Sequence, residues 1–121
     1  MNDNLLINVD ILPDILRGDY QFIDLRDPYE YKQLHLIKFI NIPYNSFNNY
    51  LPNIKKNIPL YLICHTGKRS LYLANQLSKQ GYDVYSVDGG FYTIKYHQNS
   101  INNNKDTLSP QTNSIINLKE V

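Results

Sequence analysis

The sequence predicts an α/β fold organised on a parallel sheet, and three observations carry that prediction. The first is Leu60–Ile63, a continuous apolar run with Pro59 before it and a Gly-containing polar segment after it. A short run of that kind suits a strand buried on both faces. The second is the alternation of such short apolar segments with segments of helical spacing along the chain, the pattern of strand–helix–strand units. The third is the stretch 68–80, in which Leu73, Ala74 and Leu77 share one helical face and Gly81 falls at the C′ position. Together they imply a central, mostly parallel sheet of about five short strands with helices on both faces. The domain spans residues 1–97, and a polar tail follows over 98–121.

Taken in order, residues 5–9 (Leu-Leu-Ile-Asn-Val) read as a short edge strand. Residues 10–17 carry Ile11, Leu12, Ile15 and Leu16 at helical spacing, with Asp10 as N-cap, Pro13 in the first turn and Gly18 as the stop. A second strand covers 21–25 and ends in Asp24-Leu25-Arg26-Asp27, an unusual density of charge for a buried strand end. Asp27 and Pro28 open a short helix reaching about Gln33, with Pro28 at its first position. Residues 35–42 form a loop and a third strand that stops at Pro43, and 46–51 a short helix. After the strand at 60–64 and the helix at 68–80, residues 83–87 make the last strand. Asp88-Gly89-Gly90 turns the chain, and a further helix is expected over 91–97. From Gln98 the chain is polar, with the run Asn102-Asn103-Asn104 and a Ser109-Pro110 break, so little packed structure is expected before 114–118.

The totals narrow the function classes. The chain has 121 residues, 42% of them hydrophobic, which suits one domain with a packed core. A formal net charge of +1 provides no bulk attraction for nucleic acid or an anionic membrane. No segment has the length of a membrane span, and the first residues lack the pattern of a signal peptide. A single cysteine excludes an internal disulfide and any multi-cysteine zinc site, and the three histidines are far apart. The expectation is a soluble cytoplasmic protein, with no cofactor and no metal.

That one cysteine, Cys64, stands where a buried strand ends and a helix begins. In open α/β sheets ligands bind at this end of the strands. Three features of Cys64-His65-Thr66-Gly67-Lys68-Arg69-Ser70 favour negative charge on the sulfur. Gly67 allows a sharp turn and a close backbone approach. Unpaired N–H groups of the loop and first helical turn are available to an anion. Lys68 and Arg69 add positive charge within five residues of the thiol. A buried, inert thiol is the alternative for an arbitrary lone cysteine, but an inert core residue does not call for Gly, Lys and Arg after it.

Four groups of residues, in order, resemble the rhodanese-like domains. They are Ile23-Asp24-Leu25-Arg26 with Glu30-Tyr31; His35-Leu36 with Asn41-Ile42-Pro43; Cys64-x-x-Gly67-x-Arg69-Ser70; and Asp88-Gly89-Gly90. The resemblance covers roughly residues 5–97. The chain departs from the family pattern at Leu34, where glycine is usual, and at Lys38-Phe39, where the family has Gly-Ala. The resemblance implies a rhodanese-like fold and a sulfurtransferase. Cys64 would attack the outer sulfur of a small anionic donor such as thiosulfate, hold it as a persulfide, and hand it to a thiophilic acceptor. With one cysteine in the chain, the acceptor comes from outside: cyanide, a small thiol or a protein thiol.

Around Cys64, the expected substrate-binding set is His65, Thr66, Gly67, Lys68, Arg69, Ser70 and Arg26. For His65 and Thr66 the backbone amides are the contacts. Ser70 either caps the helix or bonds the sulfur. Arg69 either binds substrate or pairs with Asp24 or Glu30. Asp24 and His35 are read as structural supports, Asp24 in an ion pair and His35 in a hydrogen bond to backbone. The rival functions are a persulfide carrier or partner-binding module of the same fold, and a Cys-dependent phosphatase or arsenate reductase. The last pair places five residues between Cys and Arg; here four residues, His65 to Lys68, separate Cys64 from Arg69, which makes a smaller cradle.

Overall fold

A computed structural model of the chain describes residues 3–95 and 118–120. Its centre is a five-stranded sheet. The strands are β1 (Leu6–Ile7), β2 (Gln21–Asp24), β4 (Ile40–Asn41), β5 (Leu60–Ile63) and β6 (Val84–Val87), in the spatial order β1-β6-β5-β2-β4. Every neighbouring pair is parallel. The apolar run that anchored the prediction, β5, lies in the middle and all four of its residues are buried.

Alternation along β5 sorts the core into two layers, because successive side chains of a strand leave opposite faces. Tyr61 and Ile63 join Phe22, Phe39, Val87, Phe91 and Ile94, together with Leu12 and Leu16. Leu60 and Leu62 join Ile23, Val84 and Phe47, together with Ala74 and Leu77. The first layer is covered by α1 (Leu12–Ile15) and the helix at 90–95, here α5. The second is covered by α3 (Phe47–Tyr50) and α4 (Lys68–Lys79). One residue past β5, Cys64 belongs by the same alternation to the layer beneath α4.

Several local expectations are corrected. The helix at 10–17 is shorter: a 3-10 turn at Val9–Ile11 precedes α1, and the cap is Asn8, whose side chain accepts from the Asp10 amide at 2.8 Å. Asp27 stands at the N-cap of α2 (Pro28–Gln33) but forms no side-chain cap bond. The 35–42 region contains two strands, β4 and β3 (Leu34–Leu36). β3 leaves the main sheet and pairs antiparallel with β7 (Leu118–Glu120), within the stretch read as a polar tail. The weakly apolar 114–117 and the end of the 91–97 helix lie outside the described residues.

On one side of the sheet Tyr85 stacks on Tyr61 at 5.3 Å and Tyr61 on Phe22 at 5.6 Å. The Tyr85 phenol is pushed up to about 12, first by its hydrogen bond to Asp83 and then by burial. Burial also raises Tyr61. A phenol whose folded pKa is raised supports the fold fully below its ordinary value of about 10 and loses that support as pH rises through the folded value. The expected result is a decline in stability between about pH 10 and 12, smaller in Tyr85→Phe. Denaturant melts read across that window check it.

Candidate active site

The site is built at the carboxyl end of β5, where the chain must turn from a buried strand into α4. Gly67 makes that turn at φ +93°, a left-handed conformation that a side chain would strain. The turn brings the Gly67 amide to 3.1 Å and the Ser70 amide to 3.4 Å from the Cys64 sulfur, both donating to it. The sulfur therefore sits over the start of a twelve-residue helix, where the backbone dipole favours negative charge. Cys64 is 4% exposed and contributes to the wall of a cavity of about 340 Å³, open to solvent. The cavity is also bounded by His65, Thr66, Lys68 and Arg69 from the loop and Arg26, Asp27 and Glu30 from the other side.

The loop is held from behind by the Asp88-Gly89-Gly90 turn. The Phe91 amide donates to the Cys64 carbonyl at 2.8 Å and the Tyr92 amide to the His65 carbonyl at 3.0 Å. Gly90, at φ +65°, lies so close that a Cβ there would sit 2.5 Å from the Cys64 carbonyl and 2.7 Å from the Gly67 nitrogen. No side chain fits without moving the backbone of the 64–67 loop.

The structure sorts the predicted residues into those facing the cavity and those behind it. His65, Thr66, Lys68 and Arg69 are exposed around its mouth. The Arg69 guanidinium lies 5.2 Å over the Tyr44 ring, and Asp24 is not its partner. His65 Nδ1 approaches Glu30 at 3.5 Å.

Arg26, expected to bind the anion, lies at the cavity wall with its guanidinium engaged by Asp24. Its Nε donates to both Asp24 oxygens at 3.0 and 3.1 Å, and a terminal nitrogen donates to Asp24 at 2.9 Å and to the Leu34 carbonyl at 2.7 Å. Its guanidinium carbon lies 3.7 Å over the Phe91 ring. Both side chains of the pair are nearly excluded from water, at 3% and 1% exposure. Asn41 donates to both the Asp24 and Arg26 carbonyls, at 3.0 and 2.9 Å. The charge at this strand end thus forms a buried ion pair at the cavity wall.

Ser70 lies against the sulfur. It is wholly buried, and Gly67 takes the N-cap position without a side-chain bond. Its hydroxyl is 3.3 Å from Sγ, 3.2 Å from the Gly67 carbonyl and 2.6 Å from the Ser86 hydroxyl. His35 bonds through Nδ1 to the Tyr31 carbonyl at 2.6 Å and stacks on the Tyr31 ring at 3.6 Å. Burial and the nearby Asp24 carboxylate raise the Tyr31 phenol, which donates to the Phe39 carbonyl.

Sequence reasoning missed the positions of Asn41 and Ser86 in this arrangement. For Ser86 a signal was present: a hydroxyl inside the apolar strand Val84–Val87, two residues from Val84 and so on the α4 face.

The model of the Rhodanese-like domain matches residues 9–97. The chain belongs to the rhodanese-like domain family. Among proteins similar to this rhodanese-like chain is the thiosulfate sulfurtransferase GlpE of Tolumonas auensis, 33% identical over 69 residues. That match covers 56% of this chain and 65% of the relative, just under two thirds of its length. The Coxiella burnetii protein of the same name is 29% identical over 93 residues, covering 76% of this chain and 87% of that one. Among solved structures, a rhodanese-related protein from Thermoplasma volcanium superposes with a TM-score of 0.69 at 25% identity, over 75% of this chain and 90% of the other. No helix among the described residues is long and apolar enough to cross a membrane.

Proposed function

We propose that this protein is a sulfurtransferase that takes a sulfane sulfur from thiosulfate or a similar small anion onto Cys64 and passes it to a thiophilic acceptor. The observation that carries this reading is the Cys64 sulfur, bonded by the Gly67 and Ser70 amides at the wall of an open cavity. The names borne by the similar proteins from Tolumonas and Coxiella support the same reaction class.

In the first half-reaction the Cys64 thiolate attacks the outer sulfur of thiosulfate. The sulfur–sulfur bond of the donor breaks, its electron pair leaves with sulfite, and a persulfide anion remains on Cys64. In the second, the acceptor attacks the outer persulfide sulfur and the Cys64 thiolate is released. Cyanide yields thiocyanate, and a thiolate yields a new persulfide. Both the leaving sulfite and the persulfide are anions. The amides at the start of α4 hold such charge by direct hydrogen bonds at a sulfur that is itself nearly buried, where they act more strongly than in bulk water. Lys68 and Arg69, exposed at the mouth, attract the donor dianion, and His65 and Thr66 offer backbone N–H groups. A reducing cytoplasm supplies acceptors of the right kind, low-molecular-weight thiols or a partner protein's thiol.

The loop length argues against a phosphatase or arsenate reductase. Only His65, Thr66, Gly67 and Lys68 lie between Cys64 and Arg69, and two amides already bond the sulfur itself. Intact mass after incubation with thiosulfate tests the proposal. The expected result is a gain of one sulfur atom, removed again by cyanide. A chain that gains none from thiosulfate but gains one from a cysteine desulfurase is a carrier instead. Hydrolysis of p-nitrophenyl phosphate dependent on Cys64 would replace the reading altogether.

A further inference from the structure

Ser86 is a buried hydroxyl that the reaction above leaves unused. It is fully excluded from solvent, in the strand next to β5, and its register partner is Leu62. Burying a hydroxyl in an apolar layer is unfavourable unless it is hydrogen-bonded. Among the described residues its bonding partner is the Ser70 hydroxyl, at 2.6 Å, and Ser70 is itself 3.3 Å from the Cys64 sulfur. A chain Ser86–Ser70–Cys64 therefore runs from the middle of the sheet to the nucleophile.

We propose that Ser86 is a positioning residue that sets the direction of the Ser70 hydroxyl and so supports the anionic sulfur of Cys64. This rests on the reading of Cys64 as the nucleophile. The Ser70 hydroxyl has one proton and three neighbours: the Cys64 sulfur, the Gly67 carbonyl and Ser86. The Gly67 carbonyl only accepts, and it already receives the Leu71 amide at 3.1 Å. If Ser70 donated to Ser86, the sulfur would lose its hydroxyl donor. With Ser86 donating to Ser70, the Ser70 proton is left for the other two. While the sulfur carries a proton, Cys64 donates to Ser70 and Ser70 donates to the Gly67 carbonyl. When the proton leaves, the Ser70 hydroxyl rotates and donates to the thiolate, still receiving Ser86. The incoming Ser86 bond also polarises the Ser70 O–H and strengthens its bond to the anion. One rotation, with no movement of backbone, serves both states of the sulfur.

The test is alkylation of the protein by iodoacetamide, followed by intact mass. It reads one site, since the chain has a single cysteine. It also needs no sulfur donor, so it separates this proposal from the proposed reaction. Wild type, Ser86→Ala, Ser70→Ala and the double variant are compared from neutral to alkaline pH, below their unfolding temperatures. In Ser86→Ala the rate at neutral pH is expected to fall about fivefold, the scale of one hydrogen bond, and to converge on wild type at alkaline pH, where every thiol is ionised. The double variant is expected to match Ser70→Ala, because Ser86 acts through Ser70. A Ser86→Ala rate equal to wild type at neutral pH overturns the proposal. So does an equal depression at every pH, which marks altered access, or a double variant whose loss is the product of the two single losses. If alkylation behaves as expected while wild type gains no sulfur from thiosulfate, Ser86 keeps its role and the donor assignment falls.

Discussion

Cys64→Ser is expected to gain no sulfur from thiosulfate and to lose thiocyanate formation with cyanide by on the order of 10³-fold or more. Serine has nearly the same shape and accepts the same Gly67 and Ser70 amides. Its hydroxyl is not ionised near neutrality, and oxygen does not form a stable equivalent of the persulfide. The loss therefore tests chemistry and not packing. The melting temperature of the variant should stay within a few degrees of wild type, because the buried hydroxyl keeps the Gly67 and Ser70 amides as hydrogen-bond partners and is not left unsatisfied. Steady-state assay with thiosulfate and cyanide, alongside a thermal melt, reads both. Retained turnover in a folded Cys64→Ser chain would remove this cysteine from the mechanism.

Arg26→Met is expected to produce the largest loss of stability of any single change at the site. It leaves the Asp24 carboxylate buried without its cation, a change worth about 3–5 kcal/mol in comparable pairs. In a domain of this size that lowers the melting temperature by roughly 10 °C or more. The damage reaches the Cys64 loop by a short path. Arg26 holds the Leu34 carbonyl and lies against Phe91, and the Phe91 amide holds the Cys64 carbonyl. Removing both charges, as in Asp24→Leu with Arg26→Met, should be milder than either single change, since no buried ion is then left alone. Chemical denaturation of the three variants checks this. A cost below about 1 kcal/mol for Arg26→Met, the range of exposed pairs, would mean that the pair is hydrated and that Arg26 is free to meet the donor.

These two sites were legible in the sequence to different degrees. Cys64 announced itself through its neighbours: an apolar run ending at a thiol, then glycine and two cations, then a helical face. All of those signals are local, lying within about twenty residues. Arg26 did not, because Asp24, Arg26, Glu30 and Arg69 allow several pairings that charge alone ranks equally. Ser70 was ambiguous for a similar reason. A serine at the start of a helix is ordinarily a cap, and only the packed strands place its hydroxyl against both the Cys64 sulfur and Ser86. The Asn8 cap in place of Asp10 shows the same limit at shorter range, since two cap-forming residues on either side of Val9 compete and the 3-10 turn selects between them.

On its own, then, the order of residues determined that a parallel α/β sheet would form, which strand would be buried on both faces, and that the lone cysteine would stand at its end. Those properties follow from periodicity and from the backbone needs of glycine and proline, which act over a few residues. The strand order, the return of β7 to β3, the Asp24–Arg26 pair and the Ser86–Ser70–Cys64 chain depend on segments far apart in sequence. What selects among them is the removal of water: a buried charge or hydroxyl must find its partner inside, and which partner is within reach is known only once the layers are packed.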